Sequence, residues 1–171
     1  MEIRPEKPEE FPEIYRLIQE AFRTARISDG DEQDYTDKLR AGAGYLPELA
    51  LVAVTGGRIV GHIMFSRTVI VGEGGVDTEA LMVAPLSVAL EYRGRGIGAA
   101  LMEEGLRRAA DAGFGIVFLA GDPGYYSRFG FVSSARYGLD NNLGIPDPNC
   151  LIREIAAGVL DGVKGTLRFI V

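Results

Sequence analysis

The chain has 171 residues, 18 of them basic and 24 acidic, with one histidine, one cysteine and no tryptophan. An apolar share of 47% with 25% charge excludes a disordered or collagen-like chain, and the length predicts a single domain spanning 1–171. A net charge of −6 argues against a nucleic-acid-binding surface, Cys150 alone makes no internal disulfide, and so few soft ligands predict no metal site.

The N-terminal residues MEIRPEKPEEF contain a short extended stretch at Ile3. Phe11, Ile14, Tyr15, Ile18, Ala21 and Phe22 then recur at helical steps, predicting an amphipathic helix that begins near Pro8. The polar run SDGDEQD predicts a loop, followed by a second helix ending near Gly42. LALVAV (49–54), RIVGHIMFSRTVIV (58–71) and residues 79–89 read as three strands joined by glycine turns, an antiparallel meander. Leu101, Met102, Gly105, Leu106, Ala109 and Ala110 form one stripe of the next helix, and Gly113 stands at its C-cap. The strand 116–120 follows at once, so its succession after a strand and a helix predicts a parallel pair with a crossover. Asp122 and Pro123 predict an N-cap and first helical residue, opening a short helix through Phe129. Two strand candidates, 150–156 and 165–171, close the chain. Acidic residues at the N-terminus and the lack of about 18 consecutive apolar residues predict a soluble, cytoplasmic protein without a membrane segment.

The densest chemical signal is Arg93-Gly94-Arg95-Gly96-Ile97-Gly98-Ala99, between a strand and the start of a good helix. Alternating glycines let the backbone approach a ligand closely, helix N-terminal N–H groups attract an anion, and two arginines supply forked donors, which together suit a diphosphate. The loose dinucleotide pattern of a nicotinamide-dependent oxidoreductase fits Gly94, Gly96 and Ala99. However, Leu119 stands where that pattern needs an acid, and only 72 residues follow Ala99.

The stretch LSVALEYRGRGIGAAL resembles the cofactor-binding segment of the GNAT acyltransferases, with Arg93, Gly96 and Gly98 at the Arg/Gln-x-x-Gly-x-Gly/Ala positions. GDPGYYSRFGF, from Gly121 to Phe131, resembles the later segment ending Tyr-x-x-x-Gly-Phe, with Tyr126, Gly130 and Phe131 in place. The resemblance implies an α+β GNAT fold: a mixed, mostly antiparallel sheet with a splayed parallel pair and helices on both faces. It further implies acetyl-CoA as cosubstrate, its pyrophosphate on the amides of residues 93–99 and its pantetheine arm beside Leu86, Ser87 and Val88. A backbone N–H near Val88 would polarise the acetyl carbonyl, and Tyr126 matches the family's general acid. The implied activity is direct acetyl transfer to a primary amine of a small molecule, peptide or protein; GNAT proteins often form homodimers.

The base is left open among Glu79, His62, Asp122 and water. The position where some relatives carry a glutamate reads Ala120, Asp122 is accounted for as a cap, and His62 lies within a strand, which suits a structural histidine. The missing glutamate keeps open a second reading, a non-catalytic acetyl-CoA or CoA sensor on the same fold. Tyr125 is read as packing, Cys150 as a strand residue, and Arg128 as either a phosphate contact or solvated. The acidic run Asp29, Asp31, Glu32 and Asp34 would suit a cationic amine or simply be a solvated loop. Residues 92–128 carry 5 basic and 4 acidic groups, the only stretch with a positive balance, so the anionic cofactor has a local place despite the net charge.

Overall fold

The computed structural model describes residues 1–25 and 28–171. Two compact units emerge: Met1–Ser66 with Ala84–Arg107, and Arg67–Val83 with Arg108–Val171.

The first unit contains β1 (Glu2–Pro5), α1 (Phe11–Phe22), α2 (Glu32–Ala41) and β2 (Tyr45–Thr55), with the first part of β3 (Arg58–Gly72), the end of β4 (Thr78–Val88) and most of α3 (Ile97–Asp111). β1 pairs antiparallel with β2, and β2 with β3. Of the predicted stripe of α1, Ile14, Ile18 and Ala21 are buried and Phe11, Tyr15 and Phe22 half-buried, while Leu17, outside the predicted stripe, is buried with them; Leu49 and Leu51 of β2 and Ile63 and Phe65 of β3 are also buried in the core of this unit. The helix starts at Phe11 rather than Pro8, and Pro8–Glu10 forms a single 3-10 turn. Pro12 has no N–H to give the Pro8 carbonyl, so the α ladder cannot reach back that far. On α3, a Cβ on Gly105 would stand 2.1 Å from Phe65 Cε1, so glycine is what lets this helix lie directly on the β3 ring.

The second unit holds the rest of β3 and β4 with β5 (Ile116–Ala120), α4 (Pro123–Tyr126), β6 (Val132–Ser133), β7 (Asp140–Asn141), β8 (Cys150–Glu154) and β9 (Gly165–Leu167). β4 and β5 form the predicted parallel pair, with Leu81 opposite Val117 and Met82 opposite Phe118. β8 runs antiparallel to β5 over five pairs, and β9 pairs with Ile70–Gly72 of β3. Hydrogen-bonded neighbours follow the order β1-β2-β3-β4-β5-β8-β6, with β9 bridging β3 and β7. The last predicted strand is ladder only to Leu167. Beyond it, the Arg168 N–H still donates to the Val69 carbonyl of β3 (3.1 Å), while the Arg168 carbonyl accepts from Thr68 Oγ1 (2.7 Å) and the Phe169 N–H donates to Asn142 Oδ1 (2.8 Å), so side chains share the end of the chain with the strand. No helix among the described residues is long and apolar enough to cross a membrane.

A buried ionic cluster ties the elements of the first unit together. The Glu6 side chain is fully buried just after β1 and accepts from Arg40 Nε of α2 (2.7 Å), Arg40 Nη2 (2.9 Å), Tyr45 Oη (2.8 Å) and the His62 ring (2.9 Å). Desolvation alone would raise the Glu6 pKa; the hydrogen bonds and charge of Arg40, with the bond from His62, overcome it and hold the carboxyl down at about 2. Burial pushes the His62 pKa down, against the opposing pull of Glu6. A carboxylate can only accept, so Nε2 of His62 carries a proton, and burial opposes a second proton on Nδ1.

Both shifts mean that the unfolded chain binds protons more readily than the folded one, so both give stability that is lost as pH falls. The His62 contribution is present above its ordinary value of 6.5 and declines below it. The Glu6 contribution declines from 4.5 towards about 2. Thermal denaturation followed from pH 7 to pH 2 should show a fall in Tm in two stages, and His62→Leu should remove the first while keeping the second. A wild-type Tm that is flat between pH 7 and pH 5 contradicts the assignment.

Candidate functional site

In the first unit, β4 runs into a 3-10 turn over Leu90–Tyr92, and then Arg93 is extended at φ −66°, ψ 153°. Gly94 and Gly96 both stand at positive φ, 74° and 79°, a backbone region that any side chain would strain. No heavy atom lies within 4 Å of where their Cβ atoms would be, so the loop is open on that side. The first α3 hydrogen bond runs from the Ala100 N–H to the Gly96 carbonyl at 3.0 Å. The N–H groups of Ile97, Gly98 and Ala99 precede it and have no intrahelical acceptor, and the helix dipole adds partial positive charge at the same place.

The two arginines of the loop do different things. Arg93 turns inward: Nη2 donates to the Ala21 carbonyl at 2.7 Å and Nη1 to Thr24 Oγ1 at 3.5 Å, closing the C-terminal end of α1. Arg95 lies over the Tyr92 ring at 4.9 Å, and Arg58, ion-paired with Glu91, lies 5.6 Å from the same ring. Among the described residues Arg95 makes no ion pair, so it is the loop arginine whose charge remains available to an anion. Sequence spacing did not separate these roles, because Ala21 and Arg58 are distant in the chain and adjacent only in the fold.

Leu86, Ser87 and Val88 form the end of β4, with Ser87 buried and Leu86 and Val88 half-buried. They share the first unit with the glycine loop, while Tyr126 belongs to the second.

In the second unit, Asp122 caps α4 as expected, accepting from the Gly124 N–H at 2.9 Å, with Pro123 at the first position. Tyr126 ends this helix within an aromatic group, its ring 4.9 Å from Tyr125, 6.1 Å from Phe131 and 6.5 Å from Phe129. A Cβ on Gly121 would stand 2.4 Å from Tyr126 Cε2, so the missing side chain is what seats the ring. Gly121 is itself clamped to Asn149 by two hydrogen bonds, N–H to carbonyl at 2.9 Å and Asn149 Nδ2 to the Gly121 carbonyl at 3.2 Å. Arg153 Nη1 donates to the Phe129 carbonyl at 2.8 Å, holding the far end of the segment. Burial pushes the Tyr126 phenol up to about 12, so it keeps its proton throughout the physiological range. Arg128 folds back, donating to the Tyr125 carbonyl at 2.9 Å and covering the Tyr125 ring at 4.6 Å.

Of the sequence-derived base candidates, Glu79 is exposed and ion-paired with Arg67 at 3.3 Å, Asp122 is occupied as a cap, and His62 is buried against Glu6. In the acidic stretch, Asp34 accepts from Tyr15 Oη at 2.7 Å, and Glu32 Oε1 accepts from the Asp29 N–H at 3.2 Å. Asp29 and Glu32, with Glu20, Arg23 and Gln33, line a hollow of about 700 Å³ between the end of α1 and the start of α2. Glu32 Oε2 is buried without a partner among the described residues. No group of three metal-ligating side chains occurs among the described residues.

The acetyltransferase (GNAT) domain family matches residues 2–133. YhbS of Escherichia coli K12, an uncharacterized N-acetyltransferase, is 34% identical over 170 residues, covering 99% of this chain and 96% of the relative. The crystal structure of YhbS in complex with CoA superposes with a TM-score of 0.87 at 30% identity, over 99% of this chain and 89% of that one. A GNAT family acetyltransferase from Brucella melitensis, in complex with acetyl-CoA, superposes at 0.80 with 31% identity, over 99% and 95%. A family match over three quarters of the sequence and a relative aligned along nearly its whole length agree with the glycine loop and the tyrosine segment: the chain belongs to the GNAT family of acetyltransferases.

Proposed function

We propose that this GNAT acetyltransferase holds acetyl-CoA on the glycine loop and the end of β4 and moves its acetyl group directly onto a primary amine, as one catalytic domain spanning 1–171. The observation that carries the reading is the set of N–H groups on Ile97, Gly98 and Ala99, without an intrahelical acceptor or another partner among the described residues, behind two open, left-handed glycines. A diphosphate satisfies these donors at once, and Arg95 adds the charge. The two relatives whose structures contain CoA or acetyl-CoA support the same ligand here.

In the proposed reaction the amine lone pair attacks the thioester carbonyl carbon. The oxyanion that forms is stabilised by a backbone N–H near Val88, and the C–S bond then breaks. Tyr126 gives its phenolic proton to the departing thiolate. Burial pushes the phenol up to about 12, so the acid enters the reaction with its proton in place. On the acceptor side, the hollow after α1, where Glu20, Asp29 and Glu32 outnumber Arg23 in the lining, favours a cationic amine.

Acetyl-CoA at 100 times its Kd should add about 2.7 kcal/mol of stability, a rise in Tm of roughly 5–10 °C for a chain of this size. No shift at millimolar acetyl-CoA rejects the reading, and a shift without acetyl transfer to any of a broad set of amines favours the sensor. Tyr126→Phe should lower kcat by roughly 100-fold and leave acetyl-CoA affinity within about twofold, measured by free-thiol release and calorimetry. Gly121→Ala pushes the Tyr126 ring from its seat and should lower kcat by roughly tenfold or more at unchanged cofactor affinity. Wild-type turnover in either variant removes Tyr126 from the mechanism.

A further inference from the structure

Four buried side-chain polar atoms of the first unit have no hydrogen-bond partner among the described residues, Glu32 Oε2, His62 Nδ1, Ser66 Oγ and Ser87 Oγ, and two of them, His62 Nδ1 on β3 and Ser87 Oγ on β4, stand on adjacent strands near the same end. β3 and β4 are consecutive and joined by the short turn after Gly72, so they run antiparallel. The Ala89 N–H donates to the Val60 carbonyl at 2.8 Å, which sets the register at this end. Counting inward by two places His62 opposite Ser87, with both side chains leaving the same face of the ladder. The intervening Gly61 agrees, since its Cβ position lies 3.4 Å from the Ser87 carbonyl. Behind the imidazole, the Glu6 carboxylate fixes the proton on Nε2, so the atom turned away from Glu6 is an unprotonated ring nitrogen. Buried polar atoms are nearly always satisfied, and a lone pair beside a hydroxyl is a pair of contacts that one water can bridge.

We propose that His62 is the proton acceptor of the transfer reaction, acting through a water held between its Nδ1 and Ser87 Oγ, with Glu6 and Arg40 as the residues that position it. This rests on the amine-transfer reading above and deepens it. The acceptor's ammonium N–H bond breaks, its proton passes to the water, and a proton of that water forms the new Nδ1–H bond. The free amine attacks, and the imidazolium is held by the Glu6 carboxylate until the proton is returned to solvent. The charged and titratable groups gathered behind His62 are Glu6, Arg40, Tyr45 and, bound to the outer side of Arg40, Asp37. Ser87 thereby has a role apart from the backbone contacts expected of β4.

The test uses the full chain with acetyl-CoA and three probe acceptors, a diamine, an aminoglycoside and a peptide with a free N-terminus, followed by thiol release from pH 5 to pH 9. Wild type should lose kcat on the acid side as His62 takes up a proton. His62→Gln should lower kcat by roughly 100-fold, leave the KM for acetyl-CoA within about twofold and abolish that acid limb. Ser87→Ala, a milder change that guards against misfolding of the first variant, should lower kcat by roughly three- to tenfold through loss of the water's second anchor. His62 is the only histidine, so its ring nitrogen resonances are unambiguous, and Nδ1 should carry no proton at pH 7. A proton on Nδ1 at neutral pH, or both variants folded with wild-type kcat and an unchanged pH profile, overturns the assignment of His62 alone. Failure of the wild type to acetylate any probe while acetyl-CoA still binds overturns amine transfer, and this inference with it.

Discussion

A carboxylate withdrawn from water must recover inside the protein what hydration gave it, and Glu6 recovers it from three separate elements. Arg40 comes from α2, Tyr45 from the start of β2 and His62 from the middle of β3, while Glu6 itself follows β1. Removing any one partner leaves a buried charge short of a bond, which is the costly state for such a group. The cluster therefore does more than pin the helices of the first unit to its strands. It also decides which nitrogen of His62 carries the proton and which way the free lone pair points.

A second constraint operates at the glycine loop. A helix must begin somewhere, and its first N–H groups are left without acceptors. Among the described residues no side chain caps the start of α3: the preceding residue is Gly96, and the one before it, Arg95, leans on Tyr92. The neighbouring Arg93 is spent on the carbonyl end of α1. One helix end is thus closed by a side chain from the loop that leaves another helix end open, and the open end is the one a diphosphate fits.

Much of this was legible in the sequence because it is periodic or local. The stripe of α3, the parallel relation of β4 and β5, the Asp122 cap and the glycine loop all follow from spacing or from residues within a few positions of one another. The elements that escaped are those made by distant side chains. β6 and β7 are two residues each, too short to show a period, and past Leu167 the closing strand shares its hydrogen bonds between the Val69 carbonyl of β3 and the side chains of Thr68 and Asn142. The Glu6 cluster was illegible for the same reason: its members lie 34, 39 and 56 residues from Glu6. The sequence leaves His62 open between a structural histidine and the base; the orphaned Nδ1 with Ser87 Oγ across the ladder favours the second.

The central claim, that the open amides of α3 are the seat of acetyl-CoA, is tested most directly by following backbone N–H resonances during an acetyl-CoA titration. The largest shifts should fall on Ile97, Gly98 and Ala99 and saturate together. Saturating acetyl-CoA that leaves these three unmoved, while others shift or none does, would contradict it.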